Sequence, residues 1–260
     1  MVGVAGATVS FGVFELAAHE AVLPRSEEVL DGLAAGRFDG IDLGPPGYLG
    51  GPKALSRNLD DRGLALAGGY IPLRLTEERS LPDDLRLLEE ILDLLEAGAG
   101  TKLPPRPTLA DAGAAHRSRS TEAGASLDDA GWETLLRNLD VASARCRVRG
   151  LEPSFHHHIG TWIQTPPEIE RLLGSTDIDL CLDSGHLLLA GGDPVTAVGE
   201  WGDRITHLHV KDARLDVLQR AATMKEVWSR GAFCPLGSGD VDVAGFVGAL
   251  QERGYQGWVV

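Results

Sequence analysis

Short apolar runs alternate with amphipathic, helix-like runs along the whole chain, and no other feature restricts its fold as strongly. Strand-like runs are expected at 39–43, 64–73, 107–112, 151–158, 178–183, 205–210 and 257–260, and a first strand with its exit loop at 2–14. Helices are expected at 26–37, 53–61, from Ser80 to a stop at Gly98, from Ser126 to Gly150, from Thr165 to Leu173, from Asp193 onward and at 243–253. Parallel strands need a crossover between them, and a helix supplies it. Eight strands with helices between and no linker predict one α/β domain over 1–260, a parallel (β/α)8 TIM barrel. A doubly wound open sheet is the alternative, but no Gly-x-Gly-x-x-Gly follows the first strand. The chain as given stops at Val260, inside the eighth strand, so the final helix of such a barrel is not expected in it.

Local signals support this segmentation. Ser80 can cap its helix, Pro82 suits the first turn, and Asp83 and Asp84 favour the positive end of the helix dipole. Leu81, Leu85, Leu88, Leu92 and Leu95 then recur on one face. Ser26 and Ser126 are further candidate caps, and Thr165-Pro166-Pro167-Glu168 has the form of a capping box. The polar stretch 113–125 reads as a loop, and 214–230 reads as holding an extra helix.

Charge and cysteine usage narrow the function classes. A net charge of -14 repels polyanions, so nucleic acid is not an expected partner. No apolar run approaches the ~20 residues of a membrane-spanning helix, so no membrane partner is expected. The apolar N-terminus lacks a leading Lys or Arg and is interrupted by Glu15, unlike a signal peptide. Three cysteines without a Cys-x-x-Cys pair argue against a disulfide framework and for a reducing, cytoplasmic setting. Self-association as a homo-oligomer is left open.

The chemistry-bearing residues concentrate at three consecutive strand ends. Six of the eight histidines fall at 156, 157, 158, 186, 207 and 209. Side chains alternate along a strand. His156 and His158 therefore share a face, as do Cys181 and Asp183, and as do His207, His209 and Lys211. Polar faces converging at the C-terminal mouth of a barrel are where its active site forms. Asp183 and His209 are expected as metal ligands, an oxygen/nitrogen pair suited to Mn²⁺, Co²⁺ or Mg²⁺. Buried structural histidines, or a surface histidine run, are the plain alternative. Asp42 and Asp111 end strands two and four, and either can serve as a loop cap. Gly237-Ser238-Gly239-Asp240 is either a close backbone approach to a ligand or a turn. Trp162, Trp201, Trp228 and Phe233 either wall a sugar pocket or pack in the core, and Cys181 reads as a small buried filler.

The runs His156-His157-His158-Ile159-Gly160-Thr161, Asp183-Ser184-Gly185-His186 and His207-Leu208-His209-Val210-Lys211-Asp212 resemble the xylose-isomerase-like TIM-barrel superfamily of sugar isomerases and epimerases. Within it they are most similar to inosose (2-keto-myo-inositol) dehydratases. The segments 9–15, 41–45, 236–241 and 254–258 extend the likeness over almost the whole chain. The resemblance implies a divalent metal, Mn²⁺ first and Co²⁺ or Mg²⁺ next, on Asp183 and His209, with Gln164 as a third oxygen ligand. A last ligand, a Glu, would follow the Trp258-Val259-Val260 run. The implied substrate is a small sugar or cyclitol ketone. His186, His158 and Lys211 would handle protons, while His156, Asp42, Trp162 and Arg214 would contact substrate. Elimination of water through an enediolate makes a dehydratase, and reprotonation at carbon makes an isomerase or epimerase. A non-catalytic sugar-binding barrel is a third reading. A barrel endonuclease for abasic DNA would need a basic groove, which this charge opposes.

Overall fold

The computed structural model describes residues 1–14, 23–113, 117 and 126–260. Eight parallel strands close into a barrel. They are β1 (Val2–Ala7), β2 (Gly40–Asp42), β3 (Ala65–Leu73), β4 (Arg106–Asp111), β5 (Ser154–His156), β6 (Asp179–Asp183), β7 (Ile205–His209) and β10 (Gly257–Val259). A two-stranded antiparallel hairpin, β8 (Asp212–Ala213) and β9 (Phe233–Cys234), stands apart from the barrel. The loop expected over 113–125 falls, from 114 on and Arg117 excepted, outside the described residues, as does Glu15.

The helices form where the apolar stripes place them. In order they are α1 (Ser26–Ala35), α2 (Pro52–Asp60), α3 (Leu81–Ala97), α4 (Asp129–Val148), α5 (Pro166–Ser175), α6 (Ser184–Leu189), α7 (Pro194–Trp201), α8 (Leu215–Arg220), α9 (Met224–Ser229) and α10 (Val243–Glu252). On α3, Leu88, Ile91, Leu92 and Leu95 are buried against the barrel wall, each contributing about 1.5–3 kcal/mol of hydrophobic stabilisation. The caps differ in detail from the sequence reading. Asp128, not Ser126, caps α4 by accepting from Gly131 N–H. Arg25 and Glu28, not Ser26, close the start of α1. Ser80 holds the cap position of α3, but its hydroxyl bonds Glu77 instead of the helix. The capping box of Thr165 and Glu168 forms as expected. The stretch after β7 holds two helices, α8 and α9, packed on the hairpin around a small core of their own that includes Ala213, Ala221, Met224, Val227 and Ala232.

The barrel interior is layered. At the floor, Trp258 packs with Ala5 and Ala67. Gly3 makes room for it, because a Cβ there would lie 2.7 Å from the indole ring. Leu180, Leu182 and Leu208 point outward into the helix-facing core. Their alternates point inward, and the register sets His156 beside Cys181, Cys181 beside His207, and Asp183 beside His209. Strand β5 regains ladder pairing for only three residues, so alternation places His156 but does not govern His158. Among the described residues, no helix is long and apolar enough to cross a membrane.

Candidate metal centre and active site

Three donors from β5, β6 and β7 meet above that floor. His156 Nε2 lies 3.3 Å from Asp183 Oδ2 and 3.1 Å from His209 Nδ1. His209 Nδ1 lies 3.6 Å from the same Asp183 oxygen. All three side chains are buried. Asp183 is held from two further sides. Its Oδ1 accepts from His186 N–H at 2.9 Å, which caps α6, and its own N–H donates to His157 Nε2 at 3.1 Å. Lys211 Nζ donates to Asp183 Oδ2 at 2.5 Å. The Lys211 backbone is fixed in turn by Ser184, whose hydroxyl donates to Lys211 O and accepts from Lys211 N–H.

Asp42 stands behind this triad. Its Oδ2 accepts from His209 Nε2 at 3.0 Å, and its Oδ1 lies 3.8 Å from His207 Nε2. A glycine at 68 is needed here: a Cβ would approach Asp42 Oδ1 to 3.0 Å and the Arg106 carbonyl to 2.7 Å. A carboxylate on one imidazole nitrogen fixes the ring and turns the other nitrogen toward its target. Asp42→Ala is therefore expected to weaken divalent-metal binding by about 10–100-fold, read by metal titration. Asp42→Asn keeps an acceptor for His209 and is expected to lose less.

Burial decides most protonation states. It drives His156 and His186 well below the usual imidazole range and lowers His207, while His157 and His158 fall to about 4. Burial opposes ionisation of Asp183, but Lys211 and the surrounding histidines overcome it and hold the carboxyl well below its usual range. The same holds for Asp42, where the nearby His207 and the hydrogen bond from His209 outweigh burial and hold the carboxyl below its usual range. His209 is pushed up against its burial by Cys181, Asp183 and Asp42. The site thus presents two carboxylates and several neutral imidazoles. Many of these nitrogens have no partner: His156 Nδ1, both nitrogens of His186 and both of His207 are buried without a hydrogen bond, as is Asp42 Oδ1. Buried polar atoms normally have partners. Donor separations of 3.1–3.6 Å match the ~3.0–3.4 Å edges of a polyhedron with metal–ligand bonds near 2.1 Å. The residues fit a divalent cation.

The mouth above is walled by aromatic rings and pinned loops. His158 and His186 have ring centroids 3.8 Å apart. Trp228 of α9 stacks on His158, and Phe233 of β9 sits edge-on to His186. His158 Nδ1 pairs with the Ile159 carbonyl at 2.8 Å, so Nδ1 carries the proton and Nε2 is the acceptor. The loop after β5 is clamped by Arg117, which is 2% exposed. Arg117 donates to the Thr161 and Trp162 carbonyls and to both oxygens of Glu168. From the other side, Asp111 accepts from Trp162 N–H and Gly113 N–H.

Burial pushes the Asp111 carboxyl up to about 6, with those two N–H groups opposing it. In the unfolded chain it would titrate near 3.9. Between those values the folded state binds more protons, so this residue makes stability fall as pH rises from ~4 to ~6 and adds no slope above. Asp111→Asn keeps the acceptor and is expected to remove that slope, a difference approaching ~3 kcal/mol above pH 6. Denaturant unfolding of both proteins from pH 4 to 8 measures it.

Of the residues singled out from sequence, Asp42, His156, His158, Asp183, His186, His209 and Lys211 come together at the barrel mouth. Three are engaged elsewhere. Gln164 Oε1 accepts from Gly160 N–H at 2.7 Å within the β5 loop. Arg214 Nε reaches the Ser238 carbonyl beside the hairpin. Trp162 lies under Arg117, whose Cζ is 5.7 Å from the centroid of the Trp162 ring. The Gly-rich run 237–240 is a turn organised by Asp212, which accepts from Gly239 and Val241 N–H. Sequence reasoning missed Tyr70, whose ring meets His156 edge-on, and it missed the Arg117–Glu168 clamp. An isolated tyrosine in β3 and an arginine in a polar stretch carry no local signal of either contact.

Comparison with known proteins agrees with this architecture. A family model described as xylose isomerase-like TIM barrel matches residues 32–260. An inosose dehydratase of Lacticaseibacillus casei is 31% identical over 245 residues, covering 90% of this chain and 80% of that protein. The probable 3-DHS dehydratase AsbF of Bacillus anthracis superposes with a TM-score of 0.72 at 15% identity, over 99% of this chain and 91% of that one. The IOLI protein, solved with a bound zinc atom, superposes with a TM-score of 0.71 at 12% identity, over 99% of this chain and 87% of that one.

Proposed function

The chain belongs to the xylose isomerase-like TIM barrel family, and we propose that it removes water from a cyclic polyhydroxy ketone of the inosose type. The observation that carries this reading is the set of donors on His156, Asp183 and His209, 3.1–3.6 Å apart, with Lys211 and His186 alongside. The 31% identity to a protein named inosose dehydratase supports the choice of substrate. Three free cysteines suit a cytoplasmic setting.

His156, Asp183 and His209 would hold the cation. Bound there, a divalent cation supplies Lewis acidity that polarises a ketone and its neighbouring hydroxyl. His186 is neutral and buried with both ring nitrogens free, so it accepts the proton from the carbon α to the ketone. Lys211 is a donor aimed into the site and delivers a proton to the departing β-hydroxyl. The C–H bond pair becomes the new Cα–Cβ double bond as the C–O bond breaks, and water leaves. His158, its ring tilted against His186 with centroids 3.8 Å apart, offers a second acceptor for the abstracted proton. Trp228 and Phe233 cover these histidines and restrict water at the reacting carbons.

Incubation of candidate inososes in D₂O with a divalent metal tests the reading. Elimination releases water and produces a new enone or dione absorbance. Deuterium entering carbon with no water lost would instead identify an isomerase or epimerase. Stoichiometric binding of the ketone without either change would identify a sugar-binding barrel.

A further inference from the structure

His157 is the residue of the 156–158 run that the proposed chemistry leaves unused. Alternation turns its side chain to the face opposite His156, and it is fully buried. The ladder between β5 and β6 ends at the pair His156 and Cys181. Strand β6 runs on beyond that pair and stays registered with β7, setting Leu182 beside Leu208 and Asp183 beside His209. Asp183 N–H thus lies past the last β5 pair, and a buried N–H rarely goes unpaired. Its acceptor is not a strand carbonyl but His157 Nε2, at 3.1 Å. An imidazole that accepts at Nε2 carries its proton at Nδ1. That Nδ1 is buried with no partner among the described residues, an arrangement that costs stability. A histidine kept only to fill space gains nothing from it, because an apolar ring would fill the same space without a stranded donor.

We propose that His157 is a positioning residue of the metal centre: by holding the Asp183 main chain where β5 and β6 part, it sets the separation of Asp183 Oδ2 from His156 Nε2. The proposal rests on the centre of the proposed function and adds a residue to it. The two sides of the donor triad that meet at Asp183 are built differently. His209 is placed against Asp183 by direct β6–β7 pairing. His156 faces it where β5–β6 pairing has stopped, so the 3.3 Å separation there depends on the side-chain bond that bridges the two strands. His157 follows His156 directly in the chain, so one short stretch of backbone supplies both a donor to the centre and the tie to Asp183. The same tie reaches α6. Asp183 Oδ1 caps that helix on His186 N–H, so a shift of the Asp183 main chain carries His186 with it. Groups that orient a ligand without touching the metal change affinity by about 10–100-fold when lost.

The test compares His157→Phe, which keeps a ring but no acceptor, with His157→Gln, whose side-chain oxygen can accept in place of Nε2. The full chain is used, stripped with a chelator, and two readouts are taken. In the metal-free protein, NMR follows exchange of the Asp183 amide with D₂O. Exchange is expected to be at least about tenfold faster in His157→Phe than in the unsubstituted chain, with His157→Gln close to the latter. On titration with cobalt(II), His157→Phe is expected to bind about 10–100-fold more weakly and with altered visible d–d bands. His157→Gln is expected to recover most of the affinity and the unsubstituted spectrum. Should the phenyl ring prevent folding, as thermal melting would report, His157→Leu takes its place. Cobalt affinity that His157→Phe keeps, or that both variants lose equally, would overturn the proposal, because volume and not the acceptor would then decide. Unchanged amide exchange in His157→Phe would overturn it as well. Exchange that depends on the acceptor, in a chain that binds no cobalt(II), would remove the metal centre of the proposed function and the positioning role with it, and leave only the hydrogen bond standing.

Discussion

Asp183→Asn is expected to abolish stoichiometric metal binding and lower kcat/KM by at least about 10³-fold, roughly 4 kcal/mol of transition-state stabilisation. The size follows from how many groups depend on one carboxylate. Asp183 Oδ2 is the point shared by His156, His209, Lys211 and, at 3.8 Å, His186. Removing its charge takes away a ligand and the counter-charge of Lys211 together. The asparagine retains an oxygen for His186 N–H, so α6 keeps its cap. Asp183→Ala loses that cap as well, about 1 kcal/mol more of stability. Comparing the two by metal analysis, thermal melting and turnover separates folding from chemistry. If Asp183→Asn kept its metal and its rate, the centre on β5, β6 and β7 would be ruled out.

Why Asp183 and His209 are legible in sequence, and Asp42 only as a strand-end aspartate, is a matter of range. Both lie on strands with strict polar/apolar alternation, Leu182 and Leu208 outward and their neighbours inward, and β-ladder register aligns them directly. Asp42 acts on His209 across 167 residues of sequence. Only barrel closure brings β2 and β7 within reach, and no local pattern encodes which mouth-facing carboxylate will meet which histidine. His156 has the same problem in another form. Alternation sets it inward, but whether it faces substrate or metal depends on its distance to Asp183 and His209. The eight strands, by contrast, needed only local periodicity and turn residues. Caps shifted by two residues, as from Ser126 to Asp128, because neighbouring residues compete for one set of free N–H groups and sequence alone does not rank them.

Lys211→Met is expected to lower the rate of water loss by about 10²–10⁴-fold while leaving metal occupancy intact. Lys211 is the one ammonium in contact with Asp183 among the described residues, half-buried at the rim, with Phe233 5.8 Å from its nitrogen. Its contact is to the carboxylate and not to His156 or His209, so its removal spares the other donors. A bound cation would also neutralise Asp183 in its place. The proposed division of labour makes a sharper demand. His186 takes the α-proton and Lys211 serves only the departing hydroxyl, so the variant should still exchange the α-hydrogen of the ketone with D₂O. Proton NMR of the recovered substrate would record that exchange, and absorbance would record the missing elimination. Loss of exchange and elimination in equal measure would instead make Lys211 part of the first step and overturn this division of labour.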